Sequence, residues 1–473
     1  MKPTTESFKD NVTRALGDGH LQASLACLVN LRRVRRRAMD DLPEFGALRD
    51  MGKRLRDHAL SRLGDLLVEF ETRARANGSE VHWAESAAEA RDIAVGICRA
   101  IGARRIVKGK SMVSEEIGLN QALEAAGYGV VESDVGEYIL QLADEAPSHL
   151  VAPAMHKTVR EVSELFAGNH GTEHDPDRVV AEELVAEAVG VLRESYLAAD
   201  VGITGANFLV AETGSTVLVT NEGNGDLSVT LPRCHITITS IEKVVATLDD
   251  VAVLLRLLGR SATGQEMSVY TTLLSGPRRP GDLDGPAEDH IILLDSGRSA
   301  LLGGELHDAL RCIRCAACLN HCPVYESIGG QAYGWVYPGP IGAVLNPALL
   351  GHQRAEHLPN ASTLCGACEE ACPVHIPLPK MLRSWRRRQV EARPQPLRAR
   401  WSLALWQFLA TRPGLYRRAT AMVAWLMGLV GRRRGRLRRW PLLSGWTAGR
   451  DLPAPSGRTF QSLWRARDRR EPR

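Results

Sequence analysis

Seven of the ten cysteines in this 473-residue chain lie between Cys312 and Cys372. They fall into two runs of fixed spacing. The first is Cys312-x2-Cys315-x2-Cys318-x3-Cys322-Pro323. Three thiolates at i, i+3 and i+6 on a tight loop can cap three irons of one cubane. The fourth faces away and reaches a second cubane, and the proline turns the chain out of the site. Structural zinc on four cysteines is the competing reading. A complete run that ends in proline and is then repeated favours iron and sulfide.

The second run is Cys365-x2-Cys368-x3-Cys372-Pro373. Aligned on its proline it lacks the first cysteine, and Ser362 stands at that position. If the two runs exchange their last ligand, as bacterial ferredoxin runs do, Cys312, Cys315, Cys318 and Cys372 hold one cluster. Cys322, Cys365 and Cys368 hold the other. Its fourth iron is left to Ser362, another group or a partner or substrate, or is missing. Cys27, Cys98 and Cys234 have no partner spacing and are expected as small buried apolar residues; Cys234 as the missing ligand has no support.

The charge is as uneven as the cysteines. From Arg383 to Arg473 the chain has 23 Arg, no Lys and 4 acidic residues, a net +19 within a total of +4. Residues 1–20 contain no apolar core of a secretory signal. No uninterrupted apolar stretch is long enough to span a bilayer. A cytoplasmic, reducing setting is expected, with the basic tail able to meet the inner face of a membrane.

Along the chain, 20–76 has a helical pattern, with Leu25, Leu28 and Leu31 near one face. From 77 to 300 short apolar runs alternate with helical segments. Residues 105–108 and 149–152 are predicted strands, and 86–101 and 114–126 predicted helices. This implies an α/β domain with a largely parallel sheet. Further strands are predicted at 208–211, 216–220 and 235–240. A Pro/Gly-rich stretch at 275–286 loosens the pattern. The cysteine segment occupies 301–382. The basic tail, 383–473, enters through Pro394 and Pro396 and shows helical patterns at 401–410 and 415–430.

Three upstream stretches join the cysteine runs: Lys108-Gly-Lys-Ser-Met112, Ala211-Glu-Thr-Gly-Ser-Thr216 and Val219-Thr-Asn-Glu-Gly-Asn-Gly225. With Ile328-Gly-Gly-Gln-Ala-Tyr-Gly334 and Leu364-Cys-Gly-Ala-Cys-Glu-Glu-Ala-Cys-Pro-Val374 they resemble the L-lactate utilisation iron–sulfur protein family, LutB, also called YkgF. The resemblance implies an N-terminal LUD domain with a NagB/RpiA/CoA-transferase-like fold. It also implies two [4Fe–4S] clusters and a role in oxidising L-lactate to pyruvate. The partners it implies are a LutA-like cysteine-rich protein and a LutC-like LUD protein. A three-cysteine second run is part of the family pattern, so Ser362 is no departure.

Other candidates have bland alternatives. Asn221-Glu-Gly-Asn-Gly225 fits an anion-binding nest or a hairpin turn. Glu212 invites comparison with an acyl-carrying carboxylate, with nothing to support the chemistry. Lys108 and Lys110 flank a strand end where α/β folds bind ligands, or form a surface pair. His156, His235 and His321 are lone histidines; His321, beside Cys322, fits a tuning role or an exposed one. No Ser-His-Asp, HExxH or Walker pattern appears, and no residue is a convincing acid–base catalyst for lactate. In the tail, Trp401, Trp406, Trp425, Trp440 and Trp446 beside Arg fit docking to an acidic partner or a membrane surface better than nucleic acid.

The expectation is an α/β LUD domain, an α-helical two-cluster ferredoxin-like domain and a helical basic tail. Its function is electron transfer within an L-lactate-oxidising system. The alternatives are another 2-hydroxy acid such as glycolate, or a cluster-based redox sensor that binds nucleic acid through the tail.

Overall fold

In the computed structural model the described residues are 3–172, 174–175, 178–392, 397–438 and 451–468. Pro394, Pro396, Trp440 and Trp446 lie outside them. The chain forms two compact units, Met1–Gln389 and Val390–Arg473.

The first unit is built on a six-stranded, wholly parallel sheet. In chain order its strands are β1 (Glu80–Ala84), β2 (Arg105–Lys108), β3 (Gly129–Glu132), β4 (Val201–Thr204), β7 (Cys234–Ser240) and β10 (Glu288–Leu294). Their order across the sheet is β1-β10-β7-β4-β2-β3. β7 is buried at every residue, as a strand covered on both faces must be. A four-stranded sheet, β8-β5-β6-β9, packs beside it. It comprises β5 (Phe208–Val210), β6 (Ser215–Thr220), β8 (Val244–Val245) and β9 (Tyr270–Leu274).

Helix Ala87–Ile101 begins on a Ser86 cap and ends at Gly102 in the left-handed region. The single helix expected at 114–126 is two, Met112–Ile117 and Leu119–Ala125, because Gly118 at φ +66° breaks it. The strand expected at 149–152 does not form. Its backbone is held by side chains instead: Val151 and Ala152 N–H groups donate to His149 Nδ1, and Lys110 Nζ donates to Val151 O at 2.8 Å.

The N-terminal helices run from Phe8 to Ala76 and cover the cysteine segment. Leu25, Leu28, Phe45 and Leu48 share one apolar core with Tyr325, Tyr333, Ile341 and the buried cysteines. Thr4 N–H donates to Gly334 O at 2.7 Å. Gly334 sits at φ +72°, and a Cβ there would come within 2.6 Å of the Thr4 backbone. Chain start and cysteine segment are thus packed too closely for a side chain between them.

The second unit contains helices Leu397–Ala410, Pro413–Gly431 and Phe460–Asp468 and a short antiparallel ladder, Arg436–Leu437 with Leu452–Pro453. Trp401, Trp406 and Trp425 are exposed on its helices. Among the described residues no helix is long and apolar enough to cross a membrane.

Candidate metal centre

The two cysteine runs have the same backbone. Arg314 and Ala316, flanking Cys315, have φ of +60° and +61°; Leu364 and Gly366, flanking Cys365, have +56° and +88°. Left-handed residues on both sides of a cysteine fold the loop inward. A short helix then follows each loop, Ala317–Asn320 and Ala367–Ala371. Pro323 next opens the helix Pro323–Ile328, where its missing N–H has no consequence.

The correspondence extends to the serine. Arg314 N–H donates to Cys312 Sγ at 3.4 Å, and Leu364 N–H donates to Ser362 Oγ at 3.1 Å. Ser362 therefore occupies in the second loop the place that Cys312 occupies in the first.

Cys312, Cys315, Cys318 and Cys372 line one small cavity whose other walls are apolar, among them Leu150, Ile313, Ile341 and Val374. Cys322 is absent from that lining. Burial, then Cys372, pushes the Cys315 thiol up to about 12. Burial, then Cys322, pushes Cys368 up to about 12. Cys372 thus acts on Cys315, Cys322 and Cys365 act on Cys368, and beyond burial Cys318 feels Cys312, Cys315, Cys368 and Cys372. Such thiols ionise only when a metal takes the proton's place. Cys365 is exposed and its thiol is lowered, chiefly by the Ala367 N–H. Four converging sulfurs and apolar walls without a carboxylate or imidazole fit an iron–sulfur cubane.

Cations surround this segment. Arg35 donates to Ala371 O at 2.7 Å, and Arg49 donates to Cys372 O at 2.8 Å. Arg56, fully buried, donates to the carbonyls of Val244, Glu242 and Leu310. Arg298 joins Glu116 at 2.6 Å and Glu242 at 3.0 Å, and Arg314 joins Glu242 at 3.2 Å. Burial would raise the Glu242 carboxyl, but Arg298 and Arg314 outweigh it and hold it at about 2. Burial, then Arg314, holds Lys243 down at about 8. None of these arginines stood out in the sequence. The basic residues between the leucines of the N-terminal helices were the available signal.

The remaining candidates separate. Lys108 is not on the surface: it is fully buried between Glu132 at 2.8 Å and Glu115 at 3.0 Å. Asn221–Gly225 is no hairpin turn; it leads from β6 into helix Asn224–Thr230. Glu212 is exposed and accepts from Leu248 N–H at the start of a helix. His235 is held by Asp289 and Thr204, His156 by Ser148 and Glu145, and half-buried His321 by Ala317 O. Cys98 and Cys234 are buried, but Cys27 is exposed.

Three family models match in succession: "LUD domain" over residues 67–294, "4Fe-4S dicluster domain" over 308–376 and "Lactate utilisation protein B, C-terminal" over 377–469. "Lactate utilization protein B" of Lysinibacillus sphaericus is 41% identical over 470 residues, covering 99% of this chain and 98% of that protein. The chain belongs to the lactate utilization protein B family. Family members of the same name from Bacillus licheniformis and Geobacillus kaustophilus are also 41% identical, again over 99% of this chain and 98% of each. As a member with the dicluster domain, the chain carries two [4Fe–4S] clusters. A solved DUF162 family protein from Deinococcus radiodurans matches 49% of this chain and 98% of its own at 18% identity, with a TM-score of 0.25, too weak a likeness to carry an argument.

Proposed function

We propose that this chain is the iron–sulfur electron-transfer subunit of a system that oxidises L-lactate to pyruvate. The observation that carries the reading is the division of the thiols into a set of four that lines one cavity and a set of three outside its lining. One lines a cavity against the α/β core; the other reaches the surface at exposed Cys365. On this reading Cys312, Cys315, Cys318 and Cys372 hold the inner cluster. Cys322, Cys365 and Cys368 hold the outer one, with Ser362 at the fourth position. The clusters supply one-electron transfer when bound. The chain's own residues set the conditions: the Arg314 N–H bonds a ligand sulfur, Arg35 and Arg49 fix the second loop's carbonyls, and apolar side chains wall the inner site.

The partners proposed are a LutA-like cysteine-rich protein and a LutC-like LUD protein, docked near Cys365 or through the tail's exposed Trp401 and Trp406. The six-stranded parallel sheet is proposed to share its ancestry with the NagB/RpiA/CoA-transferase folds. Lactate oxidation releases two electrons, and no residue of this chain is assigned to take lactate's proton or hydride. The test is anaerobic mixing of the oxidised holoprotein with L-lactate, alone and then with both partners. Bleaching of the cluster absorbance only with partners is expected. Rapid bleaching by lactate with this chain alone refutes the subunit role. Bleaching only by another hydroxy acid, such as glycolate, moves the assignment to that acid.

A further inference from the structure

At the C-terminal edge of the sheet, β2 leads on to β3 on one side while β4 leads to β7 on the other. The strand order therefore reverses between β2 and β4. Open α/β sheets bind their ligands in the crevice at such a reversal, because the connections on either side diverge and leave room. A cavity lies there. Gly109, Lys110 and Ser111 line it after β2, with Thr204 at the end of β4 and Gly205 and Ala206 after it. Room is kept by Gly205, where a Cβ would come within 2.9 Å of Ser111 Oγ.

Lys243 and Arg314 also line this cavity. Lys243 is only 6% exposed, and no hydrogen bond or ion pair holds its ammonium among the described residues. Arg314 donates to Glu242 through Nη2, but its Nη1 is buried without a partner. Neighbouring anionic groups act on both, but among the described residues none accepts a hydrogen bond from the Lys243 ammonium or from Arg314 Nη1. Arg56, Lys243, Arg298 and Arg314 face Glu116, Glu242, Asp250 and the Cys312 thiol, and Arg56 is already committed to three carbonyls. Buried donors of a cation left without an acceptor are costly, so the cavity has a place for an anionic acceptor. The lining also includes the acidic pair Asp134 and Glu222. Those carboxylates oppose a polyanion and accept a hydrogen bond from a ligand hydroxyl.

We propose that this cavity binds a small 2-hydroxy carboxylate, with the carboxylate on Lys243 and Arg314 and the hydroxyl toward the acidic residues. The choice of acid rests on the function proposed above; the site rests on the cations. Arg314 also donates its backbone N–H to Cys312 Sγ, so occupancy is reported at the inner cluster. Binding is proposed, not oxidation.

The experiment is calorimetric titration of the anaerobic holoprotein, without partners, against L-lactate, pyruvate and inorganic phosphate. L-lactate is expected to saturate at one per chain and to bind more tightly than pyruvate, which has no hydroxyl to donate. Lys243→Gln should weaken lactate about tenfold or more, the loss of one charge-assisted bond. Its iron content should be unchanged, because Lys243 is not a cluster ligand and donates no hydrogen bond to one. Asp134→Asn, in the same cavity, should narrow the preference for lactate over pyruvate. Lactate should also shift the electron paramagnetic resonance of the reduced inner cluster in the wild type. No lactate binding at millimolar concentration, or equal binding by wild type and Lys243→Gln, overturns the site. Phosphate binding sensitive to Lys243→Gln without lactate binding overturns the carboxylate assignment, and pyruvate binding as tightly as lactate overturns the role of the acidic residues. Bleaching with partners but no binding here would sink this inference and leave the electron-transfer reading standing. Binding here without bleaching would do the reverse.

Discussion

His149 makes the fold acid-sensitive in a calculable way. Its ring is 3% exposed. Nδ1 accepts from Val151 N–H at 3.2 Å and Ala152 N–H at 3.1 Å, so that nitrogen carries no proton. Nε2 then bears the hydrogen and donates to Asn320 Oδ1 at 2.9 Å. Burial lowers the ring from 6.5 to about 4, with Lys110 adding to the effect against the Asn320 bond. The native state therefore refuses a proton that the unfolded chain accepts below 6.5. Stability is intact above that value and falls as pH drops toward 4. At 1.36 kcal/mol per unit the whole difference is about 3 kcal/mol. Between about pH 7 and about pH 5, roughly 2 kcal/mol is lost. His149→Asn keeps an acceptor for the two N–H groups but cannot titrate. It should cost about 1 kcal/mol at neutral pH, from the lost Asn320 bond, and be spared the histidine's share of the acid loss. Urea unfolding of the anaerobic holoprotein, followed by tryptophan fluorescence at both pH values, gives the comparison. If wild type and His149→Asn lose the same stability between the two, the reasoning is wrong.

Three further outcomes are expected. Cys372→Ala should remove the same paramagnetic signal as Cys315→Ala, and Cys322→Ala the other, each lowering iron from about eight to about four atoms per chain; loss of one signal by both Cys322→Ala and Cys315→Ala would defeat the crossed assignment. Mild oxidation should convert the Ser362 site to a three-iron form, and Ser362→Cys should suppress that signal; an unchanged signal would place Ser362 away from the iron. Arg298→Met leaves Glu116 and Glu242 buried without their shared cation and should destabilise the first unit by about 3–5 kcal/mol, seen as a lower unfolding midpoint; an unchanged midpoint would show the network to be energetically idle.

Local chemistry was legible in the sequence. The cysteine spacing implied two linked loops, and the serine's place in the second could be read by alignment on Pro373. The strands at 105–108 and 235–240 were legible because the β-branched residues Ile106-Val107 and Ile236-Thr-Ile-Thr239 favour strands. What failed depended on contacts distant in the chain. Lys108 looks like a surface lysine until β3 brings Glu132 beside it. Residues 149–152 look like a strand, but an imidazole and a lysine hold their backbone. Cys27 looks like core, yet its helix places it outward while Leu28 is fully buried. Lys243 and Arg314 gave no signal, because a buried cationic donor without an acceptor is visible only once its surroundings are known.

The cysteine segment is not a ferredoxin appended to an α/β domain. Glu116 follows β2, Glu242 follows β7 and Arg298 follows β10, and parallel strands bring all three to one edge of the sheet. Tyr337, from the cysteine segment, donates to Glu116 Oε2 at 2.6 Å, and its ring lies under the Arg314 guanidinium at 4.6 Å. From the other side, Arg35 and Arg49 of the N-terminal helices hold the carbonyls of Ala371 and Cys372. A segment cut out at 301–382 would lose Glu116, Glu242, Arg298, Arg35 and Arg49. It would expose the apolar core it shares with Leu28, Phe45 and Leu48 and leave Arg314 without its carboxylate. The electrostatic environment of the inner cluster is therefore a property of the whole first unit. A change at the sheet's C-terminal edge, by ligand or by mutation, has a short path of charges to the thiolates.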